Sequence, residues 1–213
     1  MEIRELLLRT AERLYGERGL NGVSLREIGR EAGQRNVSAV RYHFGSREGM
    51  IEAIFERRMS MLDQRRVELL DALESTGESN DLAAIIGCFL APLVELLRRD
   101  EDASQYVRFL TEMILSREFR VGDYVEGKYD HGTRRGYQLI EAVLPNVPPR
   151  ILKQRVVIAM HGATFSLADI EAERVHRGVA FDADRAVCNV VDMLMGSLTA
   201  PVSDHFATRL GAG

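Results

Sequence analysis

The chain is poor in the residues that mark most specialised chemistries. Of its 213 residues only two are cysteines, Cys88 and Cys188, and they lie 100 positions apart in apolar helical contexts. This points to two buried free thiols in a reducing cytoplasm rather than to a disulfide framework. The longest nearly uncharged run, Val156 to Ala168, falls short of the roughly 20 residues that cross a bilayer. Met1 to Gly19 reads as an amphipathic helix with Arg and Glu throughout, not as a signal sequence. The five histidines, His43, His131, His161, His176 and His205, are dispersed, and none stands three or four residues from another His or a Cys. Asp130 beside His131, and Asp169 eight residues after His161, would hold a metal only if folding brought them together. There is no Gly-rich phosphate loop, nucleophile motif, strand-like alternation, internal repeat or low-complexity segment. An enzyme reading has no positive support, and no cofactor or metal is expected.

What the chain does have is helical periodicity. With 46% hydrophobic residues it can bury a sizeable core, as one large domain or two small ones. Residues 2–18 carry a stripe of Leu7, Ala11 and Leu14 and end at Gly19. Ser46 caps a long helix reaching about Leu73. Residues 75–80 form a polar linker, and Asp81 caps a helix over about 82–99, which Pro92 should kink or restart. Residues 103–116 and 119–143 continue helically, the stretch from Gly122 to Gly136 more weakly, before the break at Pro145, Pro148 and Pro149. The last two helices, about 149–173 and 183–198, are the most apolar, and the tail after them frays. The fold class is all-α, with about nine helices.

Ser24 to Phe44 is the most informative stretch. Leu25, Ile28 and Ala32 share one face of a first short helix, for which Ser24 and Glu27 form a capping box. Gly33 follows, where a chain leaving a helix often takes positive φ. Val37, Val40 and Phe44 then share one face of a second helix. Its other face carries Ser38, Arg41 and Tyr42, with Asn36 at its entrance. This is a helix-turn-helix, whose second helix enters the DNA major groove. Net charge is −4 overall, but residues 1–50 hold nine arginines against seven acidic residues, leaving the remainder at −6. The positive end is the candidate DNA-binding end, and affinity would rest on a few placed phosphate contacts.

The pattern of Ala11, Leu14, Tyr15, Gly19, Ser24, Ile28, Ala32, Gly33, Tyr42, His43, Phe44, Ser46, Arg47 and Glu48 resembles the N-terminal domain of TetR-family transcriptional regulators. Three positions depart from it. The turn is one residue longer around Gln34, Arg35 and Asn36. Arg41 replaces the first of a usual Tyr pair, and Arg47 stands where the family usually has Lys. The resemblance implies a three-helix DNA-binding domain over residues 1–46 and a helical effector-binding and dimerisation domain over 47–213. It implies DNA contacts from Ser24, Arg26, Arg35, Asn36, Ser38, Arg41, Tyr42, His43 and Arg47. Arg41 can pair with guanine O6 and N7 or with a phosphate, and His43 can face DNA or the core.

The resemblance further implies a homodimer on a palindromic double-stranded operator, released by an unidentified small-molecule effector. The expected pocket lining is Phe89, Tyr106, Phe109, Met113, Tyr137, His161 and Phe165, residues that serve equally as plain core. The lining suggests an apolar or aromatic effector with one polar group. The expected dimer interface is Ala159, Ala163, Val187, Val190, Val191, Leu194, Met195 and Leu198, on the last two helices. The expected place of action is the cytoplasm, at the nucleoid when DNA-bound, with no membrane partner. An activator, or a scaffold that lacks an effector, remains open.

Overall fold

The computed structural model describes residues 2–34, 38–98, 105–177 and 183–203. Within these residues every regular element is helical. Helix α1 (Ile3–Arg18), a 3-10 turn (Leu20–Gly22), α2 (Leu25–Glu31) and α3 (Ser38–Phe44) form a small head. Leu7, Leu8, Ala11, Leu14 and Tyr15 of α1 pack there with Ile28, Ala32, Val40 and Phe44. The long helix α4 (Arg47–Ser75) begins inside that core through Met50, Ile51, Ile54 and Phe55. At 1.5 Å per residue it then runs roughly 30 Å beyond Phe55, away from the head.

A second core gathers Leu70 and Leu73 of α4 with α5 (Leu82–Arg98), α8 (His131–Val143), α9 (Pro149–Arg177) and α10 (Ala183–Thr199). Helix α6 (Tyr106–Leu115) lies between α1 and α9 and carries Tyr106, Phe109 and Met113 into the head's core. Asp81 caps α5, its Oδ1 accepting from the backbone of Ala83 and Ala84 at 2.9 and 3.2 Å. Helix α5 does not restart at Pro92; the missing N–H leaves the Cys88 carbonyl without its helical donor.

Among the described residues there are ten α-helices rather than about nine. The difference lies in 119–143, which divides into α7 (Val121–Val125) and α8, the chain turning at Gly127 with φ 74°. Helix α8 starts where Asp63 of α4 accepts from the backbone N–H of His131 and Gly132 at 3.2 and 2.9 Å. Asp63 therefore serves as an N-terminal cap supplied by another helix. Gly132 and Gly136 face inward: a Cβ at Gly132 would lie 2.9 Å from Arg66 Cβ, and one at Gly136 2.6 Å from the Phe89 ring. The glycines that weaken this stretch as an isolated helix are those that let it dock. Of the two thiols expected to be buried, Cys88 is buried but Cys188 is exposed, because α10 turns that face outward. No helix of the described residues is long and apolar enough to cross a membrane. The TRLGAG tail lies outside the described residues.

Glu171 of α9 repeats the Asp63 device at α6. It is 1% exposed, and Oε2 accepts from Arg108 N–H at 3.0 Å. Burial pushes its carboxyl up to about 8, against the N–H groups of Arg108 and Val107, with Glu12 adding repulsion. The folded state therefore holds a proton that the unfolded chain gives up near its usual 4.5. The stability this proton contributes is full below about pH 4.5 and is lost as pH rises to about 8. Glu171→Gln keeps an acceptor for the α6 N–H groups but cannot ionise. Urea unfolding across pH 5–9 should show that loss in the wild type and a flatter profile in the variant; parallel profiles would remove Glu171 as its source.

Candidate nucleic-acid interface

Helix α2 is fixed at both ends by its own sequence. Ser24 Oγ accepts from Glu27 N–H at 3.2 Å. The Glu27 carboxylate of the expected capping box accepts from Arg18 Nη1 at 2.6 Å. A hydroxyl that accepts still has its own proton to donate, and Ser24 is exposed. At the other end Gly33 takes φ 69°. Its N–H bonds the Arg30 carbonyl at 3.0 Å and Gln34 N–H bonds the Gly29 carbonyl at 2.9 Å. That pair of bonds is a Schellman motif, and it needs a residue that tolerates the left-handed region.

Helix α3 then packs Val40 and Phe44 inward and turns Arg41 and Tyr42 to solvent. Tyr42 is 86% exposed, the barest of the large apolar side chains among the described residues. His43 is half-buried, edge-on to Tyr42 with ring centroids 5.3 Å apart. Arg26 and Arg30 are exposed on α2. Arg35 and Asn36 lie outside the described residues, as does the side chain of Ser38. Arg4 was not anticipated: its guanidinium lies 5.5 Å over the Phe44 ring, bringing a cation from α1 to the end of α3. No spacing in the sequence could reveal a contact between positions 40 apart.

Arg47 does not turn outward with the others. Nη2 donates to Asn21 Oδ1 at 2.8 Å and Nη1 lies 3.6 Å from Glu118 Oε2. The guanidinium sits 5.0 Å over the Phe119 ring. The expected DNA contact is thus held, in this structure, between the head and the corner joining α6 to α7.

Behind the head, α1 and α4 are locked by a buried ion pair. Arg58 Nε and Nη2 donate to Glu12 Oε2 and Oε1 at 2.7 and 2.6 Å, with both residues at most 5% exposed. Arg57 joins Glu12 at 3.4 Å and Glu5 at 2.7 Å.

A family model described as bacterial regulatory proteins of the tetR family matches residues 7–54, which span the helix-turn-helix. A second, the tetracyclin repressor-like C-terminal domain, matches residues 87–200, over half of the chain. The chain belongs to the TetR family. A structure from Shewanella sp. PV-4 considered a tetR family transcription regulator is 16% identical, with 91% of this chain and 96% of that chain covered and a TM-score of 0.60. NalD, the secondary repressor of the MexAB-OprM multidrug efflux pump in Pseudomonas aeruginosa, is 20% identical, with 94% and 97% covered and a TM-score of 0.51. At these identities the likeness is one of fold. No curated protein sequence is a significant match.

In this TetR-family chain the expected pocket residues do not line one space. Phe89, Tyr106, Phe109 and Met113 are at most 2% exposed and belong to two separate cores. Tyr137 is half-buried, while His161 and Phe165 lie on the outer face of α9. A groove of about 640 Å³ lies between α4 and α5, where Met61, Leu62, Pro92 and Leu96 line it together with the polar Arg58, Gln64, Arg65, Glu68, Glu95 and Arg98. Among the described residues no three metal-ligating side chains cluster.

The expected dimer residues also divide. Ala159, Ala163, Val190, Leu194 and Leu198 are buried where α9 and α10 meet the core of their own subunit. Val187, Val191 and Met195 are half-buried beside them. The outward apolar side chains are Val157, Ile158 and Phe165 of α9 and Met193 of α10, 39–69% exposed.

Glu12→Gln should lower stability by about 3 kcal/mol, because it leaves Arg58 buried without its counter-charge. Urea unfolding would measure it, and Glu12→Leu with Arg58→Met should recover most of the loss. A change below about 1 kcal/mol would show that the pair does not lock α1 to α4.

Proposed function

We propose that this chain is a homodimeric repressor that binds a palindromic operator and is released by a small, largely apolar effector. The observation that carries the reading is the face of α3, where Arg41 and Tyr42 stand in solvent on a helix anchored by Val40 and Phe44. A short helix that exposes an arginine and a nearly bare aromatic ring fits a major groove. Ser24, Arg26, His43 and Arg4 surround it as groups able to meet phosphate. Arg41 is assigned to a guanine edge. The dimer would close through Val157, Ile158, Phe165 and Met193, exposed apolar side chains on two helices that pack together. Action at the nucleoid in the cytoplasm follows from that role.

The effector is assigned to the groove between α4 and α5, whose volume lies in the range of small-molecule sites. Arg58 lies on its wall and pairs with Glu12 of α1, so occupancy of the groove bears on the head through one ion pair. An effector that prefers one arrangement of that joint shifts DNA affinity by its differential affinity for the two states.

Selection from a randomised duplex pool, with wild type beside Arg41→Ala, tests the DNA reading. Wild type should enrich a two-fold symmetric site, and the variant should relax discrimination at one base per half-site by about 1–3 kcal/mol. Uniformly weaker binding would move Arg41 to a phosphate, and a half-site without symmetry would remove the dimer. The groove is tested with 1-anilinonaphthalene-8-sulfonate. Leu96→Trp fills the floor and should cut dye binding several-fold with unchanged circular dichroism, whereas equal binding would place the effector elsewhere.

A further inference from the structure

Arg47 is the first residue of α4, directly after the Ser46 cap and three positions beyond the last residue of α3. Its backbone thus stands at the edge of the proposed DNA face, but its side chain is drawn back. Its partners are of two kinds. Asn21 Oδ1, at 2.8 Å, belongs to the head itself. Glu118 and Phe119 belong to the corner between α6 and α7, with Glu118 Oε2 3.6 Å from Nη1 and the Phe119 ring 5.0 Å beneath the guanidinium. That corner is stiff: Ser116 Oγ accepts from the N–H groups of Glu118 and Phe119 at 3.1 and 3.0 Å, and Phe119 is 5% exposed. The pairing is nonetheless incomplete. Arg47 Nε is buried without a hydrogen-bond partner, the Glu118 contact is longer than a hydrogen bond, and a quarter of the side chain remains in solvent. A guanidinium held so loosely beside a DNA-reading helix is available to a stronger anion.

We propose that Arg47 exchanges between two anions, the Glu118 carboxylate in the free protein and a DNA phosphate in the complex, so that Glu118 acts as a built-in competitor of DNA. The inference rests on the DNA-binding reading above and goes beyond it by naming the group that opposes binding. It also gives the C-terminal half a second route to the head. Helix α6 ends at this corner and begins at Glu171 of α9. A displacement of α9 would therefore move the carboxylate that competes for Arg47.

The test is a double-mutant cycle on DNA affinity with the full-length chain, Glu118→Gln against Arg47→Gln, using a fluorescein-labelled mixed-sequence duplex across a salt series. Phosphate competition is independent of sequence, so no operator is required. Glu118→Gln should tighten binding about two- to fivefold, as expected for freeing one end of a partly exposed ion pair. Arg47→Gln should weaken binding and reduce the magnitude of the salt slope by about 0.9, one phosphate contact. Arg47→Lys should restore that slope, which a purely structural arginine would not allow. In the Arg47→Gln background the Glu118→Gln gain should vanish. A gain that persists there would reduce Glu118 to a general field effect and overturn the exchange. An unchanged slope in Arg47→Gln would overturn it as well. A wild type that binds no duplex at low salt would bring down the DNA-binding reading itself, a result distinct from either of these.

Discussion

The Glu12–Arg58 pair is the interaction on which the architecture turns. Two charges taken out of water cost several kcal/mol each unless they meet, and here they meet through two paired hydrogen bonds, one from Nε and one from Nη2. The geometry admits one register of α1 on α4. Since α1 carries the head and α4 carries the body, the pair fixes how the two halves are set against each other. Arg57 and Glu5 extend it toward the surface, and the Arg58 guanidinium lies 5.8 Å over the Tyr106 ring of α6. A buried ion pair, like the packed interface around it, has two discrete conditions, made or broken.

The same economy of charge recurs in the body. The long helices α4 and α9 each lend a carboxylate to the start of a shorter helix, Asp63 to α8 and Glu171 to α6. A helix start leaves unpaired N–H groups that need an acceptor, and these two receive theirs from a neighbour rather than from the preceding residue. Such caps do double duty, since they satisfy the backbone and fix the position of the short helix along the long one. Arg66 shows the reverse side of the arrangement. It is buried beside Asp63, stacked 5.5 Å over Phe89, and donates to Thr133 at 3.2 Å, so α4, α5 and α8 meet around one cation.

The sequence made the helices legible because their signals are local. The stripes of α1, α5 and α10, the caps at Ser24, Ser46 and Asp81, and the turn at Gly33 all depend on neighbours within a few positions. The faces of α9 and α10 were not legible. Both helices are apolar on more than one side, so periodicity finds a stripe without saying what covers it. The regular stripe through Val190, Leu194 and Leu198 turned out to pack within its own subunit, while Ile158 and Met193 on the other side face solvent. His161 and Phe165 stand on the exposed side of α9, which periodicity alone does not single out. Arg47 and Arg4 illustrate a further limit: a long cationic side chain at a helix end can point either way, and the choice is made by Glu118 and Phe44, far off in sequence.

The two inward glycines of α8 have a consequence for how the molecule opens. Glycine within a helix costs about 1 kcal/mol relative to alanine, and α8 has only 13 residues, two of its three buried residues being Gly132 and Gly136. Its order is therefore borrowed from Asp63, Arg66 and Phe89 rather than intrinsic. Such a segment exchanges its amide hydrogens through a local excursion well below the free energy of global unfolding. Were α8 to lift as one unit, the Arg66 side chain beneath Gly132 and the Phe89 ring beneath Gly136 would lose their cover together.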